Sequence, residues 1–310
     1  MKTSFGKVSI IGAGNVGSLT AMRLLESGLC DVALLDIIEG LAKGKAEDLM
    51  DAASIIGHGR ELIGSTDFSL MKDSAVVVIT AGFPRKPGMT REELLAKNAG
   101  IIKSVSEKIA QYAPDSIIIN VTNPLDAMTF AAYKYSGFKP EKVVGMAGLL
   151  DSSRMNLAVS RVLDKPLNKI DSLVLGTHGE TMAPVLSQSK IENKPATQSL
   201  ENTQQEEVID KTKKRGAEIV SYLKTGSAYF SPSACAAKMV EIILKGKKQT
   251  IPASCFLKGE YGIDGIYLGV PAVLGKTGVE KILELKLTNE ELATLRRAAE
   301  SIKNSIKKIA

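Results

Sequence analysis

The chain contains two histidines, and their surroundings differ. His58 lies in Ile56-Gly57-His58-Gly59-Arg60, a glycine-flanked loop setting that predicts a surface side chain. His178, in Gly176-Thr177-His178-Gly179-Glu180, follows an apolar run that reads as a buried strand. An imidazole at a strand end is placed to take or give a proton near neutral pH. Asp151-Ser152-Ser153-Arg154 opens a helical stretch, and its aspartate and arginine, at i and i+3, share one helix face. There Asp151 can hold the imidazole tautomer and Arg154 can grip a carboxylate through two parallel N–H bonds, although a capping aspartate with a local ion pair has the same spacing. Arg85 and Arg91 bracket a segment from Gly82 to Arg91 whose two prolines and two glycines forbid regular structure. Following an apolar strand, it reads either as a solvated basic loop or as a lid that brings positive charge to an anion on closing. Asn123-Pro124 offers an amide to a ligand and an X-Pro bond able to be cis in a tight turn. A base, its orienting acid and carboxylate-binding cations are what oxidation of a hydroxy acid requires, apart from a group to take the hydride.

That group has its own motif. Gly12-Ala13-Gly14-Asn15-Val16-Gly17 follows the apolar run 8–11 and opens a helix, the context in which GxGxxG marks a dinucleotide site and not merely a glycine turn. Gly12 permits the tight turn, Gly14 lets the backbone approach a pyrophosphate, and Gly17 lets the helix lie close on its strand. The helix N-terminus presents free N–H groups and a positive dipole end to the diphosphate. Asp36 ends the second apolar run, nineteen positions after Gly17, where a carboxylate accepts from both ribose hydroxyls and repels a 2′-phosphate. No arginine follows in Ile37-Ile38-Glu39, so NAD is expected over NADP.

The elements that must hold these residues can be read from periodicity. Short β-branched runs at 8–11, 32–35, 76–80, 117–121 and 143–145 alternate with helical spacing at 16–27, 40–53 and 91–112. This predicts an α/β fold, with an N-terminal doubly wound parallel (Rossmann) sheet over 1–145 and its ligand at the carboxyl ends of the strands. Residues 146–310 read as an α+β substrate domain, with helices near 152–162, 206–223 and 232–244 and strands near 173–176 and 251–257. The last helix opens on a capping box, Thr288-Asn289-Glu290-Glu291. With neither a linker nor a repeat in sight, the two halves should pack tightly.

At 310 residues, two domains sharing an interface are the natural expectation. Hydrophobic residues at 44% and charged residues at 24% exclude a disordered chain. Cys30, Cys235 and Cys255 are scattered, which suggests neither a disulfide framework nor a metal site and favours a reducing compartment. Few residues precede the first apolar run and no stretch approaches membrane-spanning length, so a cytoplasmic protein without membrane contact is expected. The net charge of +6 is carried by runs such as 211–215 and 245–248 that contain no aromatic residue for base stacking, so nucleic acid is not an expected partner.

With these segments assembled, the sequence resembles the lactate/malate dehydrogenase family over nearly its whole length, specifically the malate dehydrogenases that are similar to lactate dehydrogenases. The resemblance is carried by Gly12–Gly17, Pro84-Arg85-Lys86-Pro87-Gly88-Met89-Thr90-Arg91, Val121-Thr122-Asn123-Pro124, Leu150-Asp151-Ser152-Ser153-Arg154 and Gly176-Thr177-His178-Gly179. It implies reversible NAD-dependent oxidation of (S)-malate to oxaloacetate, with lactate or another 2-hydroxy acid as the alternative substrate. It makes His178 the proton acceptor and donor and Asp151 its orienting partner. Arg154 would anchor the C1 carboxylate, Arg91 would polarise the reacting C–O bond, and Arg85 would bind the far carboxylate, where lactate-specific members carry a glutamine. Asn98 and Val121 join Asn123 and the fingerprint at the cofactor, and Gly226-Ser227 matches the malate-type substrate wall. A homodimer or homotetramer is implied, with the apolar helical face over 41–56 as a plausible interface.

Three other functions fit less well. Gly275-Lys276-Thr277 suggests a phosphate loop, but Val270 stands where its first glycine belongs. Tyr135 and Lys139 have the spacing of a short-chain reductase, but Gly137 and Pro140 predict a helix end there. A non-catalytic dinucleotide sensor would leave His178, Asp151 and the loop arginines without a task.

Overall fold

The structure is a computed structural model that describes residues 6–84, 89–179 and 181–309. The first strands are β1 (Lys7–Ile11), β2 (Asp31–Leu35), β3 (Leu62–Ser65), β4 (Ser74–Ile79), β5 (Ile117–Asn120) and β6 (Val143–Gly145). Apart from the edge strand β3, they are almost wholly buried because helices cover both faces of the sheet, which is why they read as continuous apolar runs. All pair in parallel in the order 3-2-1-4-5-6, the doubly wound arrangement. The order reverses between β1 and β4, and a crevice opens there at the strands' carboxyl ends.

Helix α1 (Asn15–Glu26) lays Gly17, Thr20, Ala21, Leu24 and Leu25 on the sheet, a stripe at helical spacing. The short α2 (Leu41–Asp51) and α3 (Ala53–Ile56) follow β2. Helix α4 (Arg91–Tyr112) opens on a capping box in which Thr90 and Glu93 satisfy each other's backbone N–H groups. Helix α5 (Leu125–Ser136) follows the cis Asn123-Pro124 peptide and is buried on nearly every side. It ends at Gly137, in the left-handed region, which leaves Lys139 outside the helix as expected.

The second half begins with α6 (Gly148–Leu163). Small ladders follow: β7 (Ile170–Asp171), β8 (Val174–Leu175), β9 (Ala183–Pro184), β10 (Lys190–Ile191) and β11 (Lys194–Pro195). After them come α7 (Ala196–Ser199), α8 (Asn202–Leu223), α9 (Phe230–Lys245), the meander β12 (Gln249–Lys258), β13 (Asp264–Gly275) and β14 (Gly278–Ile282), and the capped α10 (Asn289–Ile306). Lys276 and Thr277 fall in the β13–β14 hairpin, where no phosphate loop can form. The meander does not stand apart, because Ser254 of β12 pairs antiparallel with Gly145 of β6, making one nine-stranded sheet from both halves. One apolar layer accordingly runs unbroken from Val8 and Ile10 to Ala298 and Ile302.

Candidate active site

Helix α6 is tied to β8 and the residues just before it by two bonds: the Val174 N–H donates to Ser152 Oγ (3.0 Å) and the Ser172 N–H to Asn156 Oδ1 (2.9 Å). At the far end of β8, Gly176 exchanges both backbone bonds with Gly269 of β13, and a side chain on Gly269 would meet the Gly176 carbonyl at 2.4 Å. These constraints point the next residues of the chain at the first turn of α6. His178 Nδ1 lies 2.8 Å from Asp151 Oδ2, and Asp151 Oδ1 accepts from Arg154 at 3.2 Å. Asp151 is 1% exposed, whereas the His178 side chain keeps 16% of its surface. Burial pushes the imidazole towards its neutral form, but the charge and hydrogen bond of Asp151, helped by Asp126 and opposed by Arg154, outweigh it and raise the pKa. Arg154 Nε is buried without a hydrogen-bond partner among the described residues.

His178 and Arg154 open on a cleft of about 360 Å³, whose floor includes Val16, Val121, Asn123 and Met146. Its other wall is the face of α8 bearing Lys213, Gly216, Ala217 and Val220, and Ser227 closes it. Lys213 is a cation that sequence reasoning missed. The run Lys211–Arg215 reads as uniformly basic, yet Lys211, Lys214 and Arg215 pair with Glu207, Asp210 and Glu218 while Lys213 turns to the cleft. Arg85 and the side chain of Arg91 lie outside the described residues. Asn98 is not brought to the cleft. It is 1% exposed, and its amide accepts from the Phe83 N–H (2.8 Å) and donates to the Asn123 carbonyl (2.6 Å), bracing the loops on either side. His58 is half-buried in its own loop and is not among the residues lining the cleft.

The fingerprint loop fits a dinucleotide. Gly12 has φ +105°, and a Cβ on Gly17 would lie 1.9 Å from the Gly12 carbonyl, so turn and helix–strand contact both need glycine. A Cβ on Gly14 would meet nothing within 4 Å, so nothing in the described chain demands that glycine. No side chain caps α1, which leaves its first N–H groups facing Ala13, Gly14, Asn15 and the open crevice. Asp36 is anchored by the N–H groups of Ala13 (2.7 Å) and Ile38 (3.0 Å), and each oxygen has a lone pair left for a ribose hydroxyl. The three cysteines are buried and unpaired, and burial pushes Cys30 and Cys235 up to about 12, so neither serves as a nucleophile near neutral pH.

The fold recurs in known proteins. Residues 6–145 match the lactate/malate dehydrogenase NAD binding domain, and residues 149–310 match the lactate/malate dehydrogenase alpha/beta C-terminal domain. The chain belongs to the lactate/malate dehydrogenase family. A malate dehydrogenase of Methanosarcina barkeri is 46% identical over 98% of this chain and 99% of its own length. Among solved structures, the malate dehydrogenase of Cryptosporidium parvum superposes with a TM-score of 0.95 at 39% identity, covering 98% of both chains. The lactate dehydrogenase of the same organism, complexed with lactic acid and nicotinamide adenine dinucleotide, also reaches 0.95, at 38% identity and 98% and 97% coverage. The fold and the kind of chemistry are therefore those of an NAD-dependent oxidoreductase. No helix among the described residues is long and apolar enough to cross a membrane.

Proposed function

We propose that the chain catalyses the reversible oxidation of (S)-malate to oxaloacetate with NAD, using His178 as acid and base. The observation that carries this is the part-buried Asp151–His178 pair opening on a cleft shared with Arg154 and Lys213. Residues 1–145 hold the cofactor through Gly12, Ala13, Gly14, Asn15, Val16, Gly17, Asp36, Val121 and Asn123, with Asn98 supporting Asn123 from behind. Residues 146–310 supply the proton-transfer site. NAD, when bound, supplies the acceptor for the hydride on the carbon bearing the hydroxyl.

In oxidation, neutral His178 takes the hydroxyl proton at Nε2, because Nδ1 is committed to Asp151, which stabilises the imidazolium that results. Arg154, with its unpartnered Nε, anchors the C1 carboxylate. Arg91 polarises the reacting C–O bond, and Arg85 meets the second carboxylate. Exclusion of water from the site strengthens each of these ionic contacts. The alternative of lactate is favoured by the likeness to a lactate dehydrogenase. A panel of oxaloacetate, pyruvate and bulkier 2-oxo acids, each with NADH and NADPH, separates the two. Oxaloacetate with NADH should give the highest kcat/KM, and a preference for pyruvate or for NADPH would overturn the assignment. We place the enzyme in the cytoplasm, where buried thiols stay reduced, as a homodimer or homotetramer assembled through the α2–α3 face, whose Ile55 and Ile56 are exposed.

A further inference from the structure

Asp126 has no part in this scheme, yet its carboxylate lies directly behind the site. It is the second residue of α5 and only 2% exposed. A buried carboxylate is costly unless its oxygens are engaged, and both are. Oδ1 accepts from Ser254 Oγ at 2.6 Å, and Oδ2 accepts from the backbone N–H of His178 at 3.3 Å. Ser254 is the residue through which β12 joins β6, opposite Gly145. A Cβ on Gly145 would lie 2.6 Å from Thr129 Oγ1 and 2.8 Å from Ser254 Cβ, so α5, β6 and β12 meet there with no room to slip. The carboxylate thus bonds elements from both halves to the residue whose side chain enters the cleft.

We propose that Asp126 is a positioning residue: with Ser254 it clamps the His178 backbone at the seam between the two halves, keeps the imidazole on Asp151, and adds a second negative charge that favours the imidazolium. The proposal rests on the reading of His178 as the proton-transfer group. The groups facing His178 are Asp151 and Arg154 from α6 and Asp126 from α5, and those facing Asp126 are Ser254, His178 and Asp151. Burial drives the Asp126 carboxyl up to about 6, with the bonds from Ser254 and His178 opposing the rise. Below that pH the carboxyl gains a proton, and the imidazolium loses one of its two anionic neighbours.

The signs follow. Reduction of oxaloacetate needs protonated His178, so acid alone should favour it, and the rate should fall only as pH rises through the raised imidazole pKa. The clamp adds an acid limb near pH 6 that His178 cannot produce. Because the chain has two histidines, His178 can also be titrated directly by NMR, with His178→Asn making the assignment. Asp126→Asn should lower the His178 pKa, remove the acid limb and reduce kcat/KM on the order of tenfold to hundredfold, with NADH affinity unchanged. Ser254→Ala removes a bond that keeps Asp126 ionised, so its acid limb should move to higher pH. A pure folding defect would scale the rate equally at every pH. An unmoved His178 titration with a pH profile parallel to the parent's, in either variant, overturns the proposal. If Asp126→Asn lacks the parent's circular dichroism, Ser254→Ala decides alone. If His178→Asn instead keeps near-parent activity, the reading of His178 fails, while the NMR titration still reports whether Asp126 is coupled to it.

Discussion

At the scale of single residues, the site separates a proton task from a charge task. In the proposed mechanism His178 must be neutral to receive a proton from malate and protonated to return one to oxaloacetate. Its pKa lies above the ordinary imidazole value, because Asp151 outweighs the opposing effect of burial. Oxaloacetate reduction should therefore fall, and malate oxidation rise, as pH increases through that raised pKa, which initial rates in both directions across pH would show. His178→Asn should cost about 10²-fold or more in turnover while NADH binding, followed by fluorescence, is kept. A variant with near-normal turnover would remove His178 from the mechanism. The charge task divides between the carboxylates of the substrate. Arg85→Gln should lose most oxaloacetate activity and gain some pyruvate activity, because a guanidinium left unpaired in a closed site costs several kcal/mol, about tenfold in rate for each 1.4 kcal/mol. An unchanged pyruvate-to-oxaloacetate ratio of kcat/KM would take substrate choice away from Arg85.

At the scale of elements, β1, its turn and α1 show how glycines of one motif obey different constraints. A methyl group on Gly17 would lie 1.9 Å from the Gly12 carbonyl, so Gly17→Ala must push α1 off the sheet. Both thermal stability and NADH affinity should drop. A methyl group on Gly14 meets nothing in the described chain. Gly14→Ala should therefore leave the thermal midpoint close to the parent's and weaken NADH by about tenfold or more, since only a bound pyrophosphate occupies that space. Calorimetry paired with fluorescence titration makes the comparison. Equal NADH affinity in parent and Gly14→Ala would show that the diphosphate does not approach this turn.

At the scale of the whole molecule, the two halves behave as one body because they share a sheet and an apolar layer. The Asp151–His178 pair depends on that union: Asp151 comes from α6, His178 follows the end of β8, and the β8 end is held by β13 of the meander that continues the first half's sheet. On the α2–α3 face, Ile55 is 88% exposed, apolar area that water does not favour. Ile55→Lys should shift the sedimenting species towards monomer, and an unchanged mass in analytical ultracentrifugation would place the subunit interface elsewhere.

Much of this was legible in the chain itself, and for local reasons. A buried parallel strand must be apolar along its length, so β1, β2, β4, β5 and β6 announce themselves, as do the fingerprint turn and the capping box at Thr288, whose signals span a few residues. Signals that depend on distant partners were silent. The edge strand β3 is only part-buried and lacks the apolar run of its neighbours. Helix α5 is covered nearly all round and has no amphipathic stripe to mark its extent. Asp126 looks like any acid in a first helical turn until Ser254, 128 positions later, is folded against it. Lys213 is one of several basic residues until the rotation of α8 turns it alone of that run to the cleft. Local sequence determines backbone pattern and residue chemistry, because both follow from nearest neighbours. Which carboxylate is buried behind the histidine, and which lysine faces the cleft, only tertiary packing decides, because burial and charge pairing are properties of surfaces brought together from far apart in the chain.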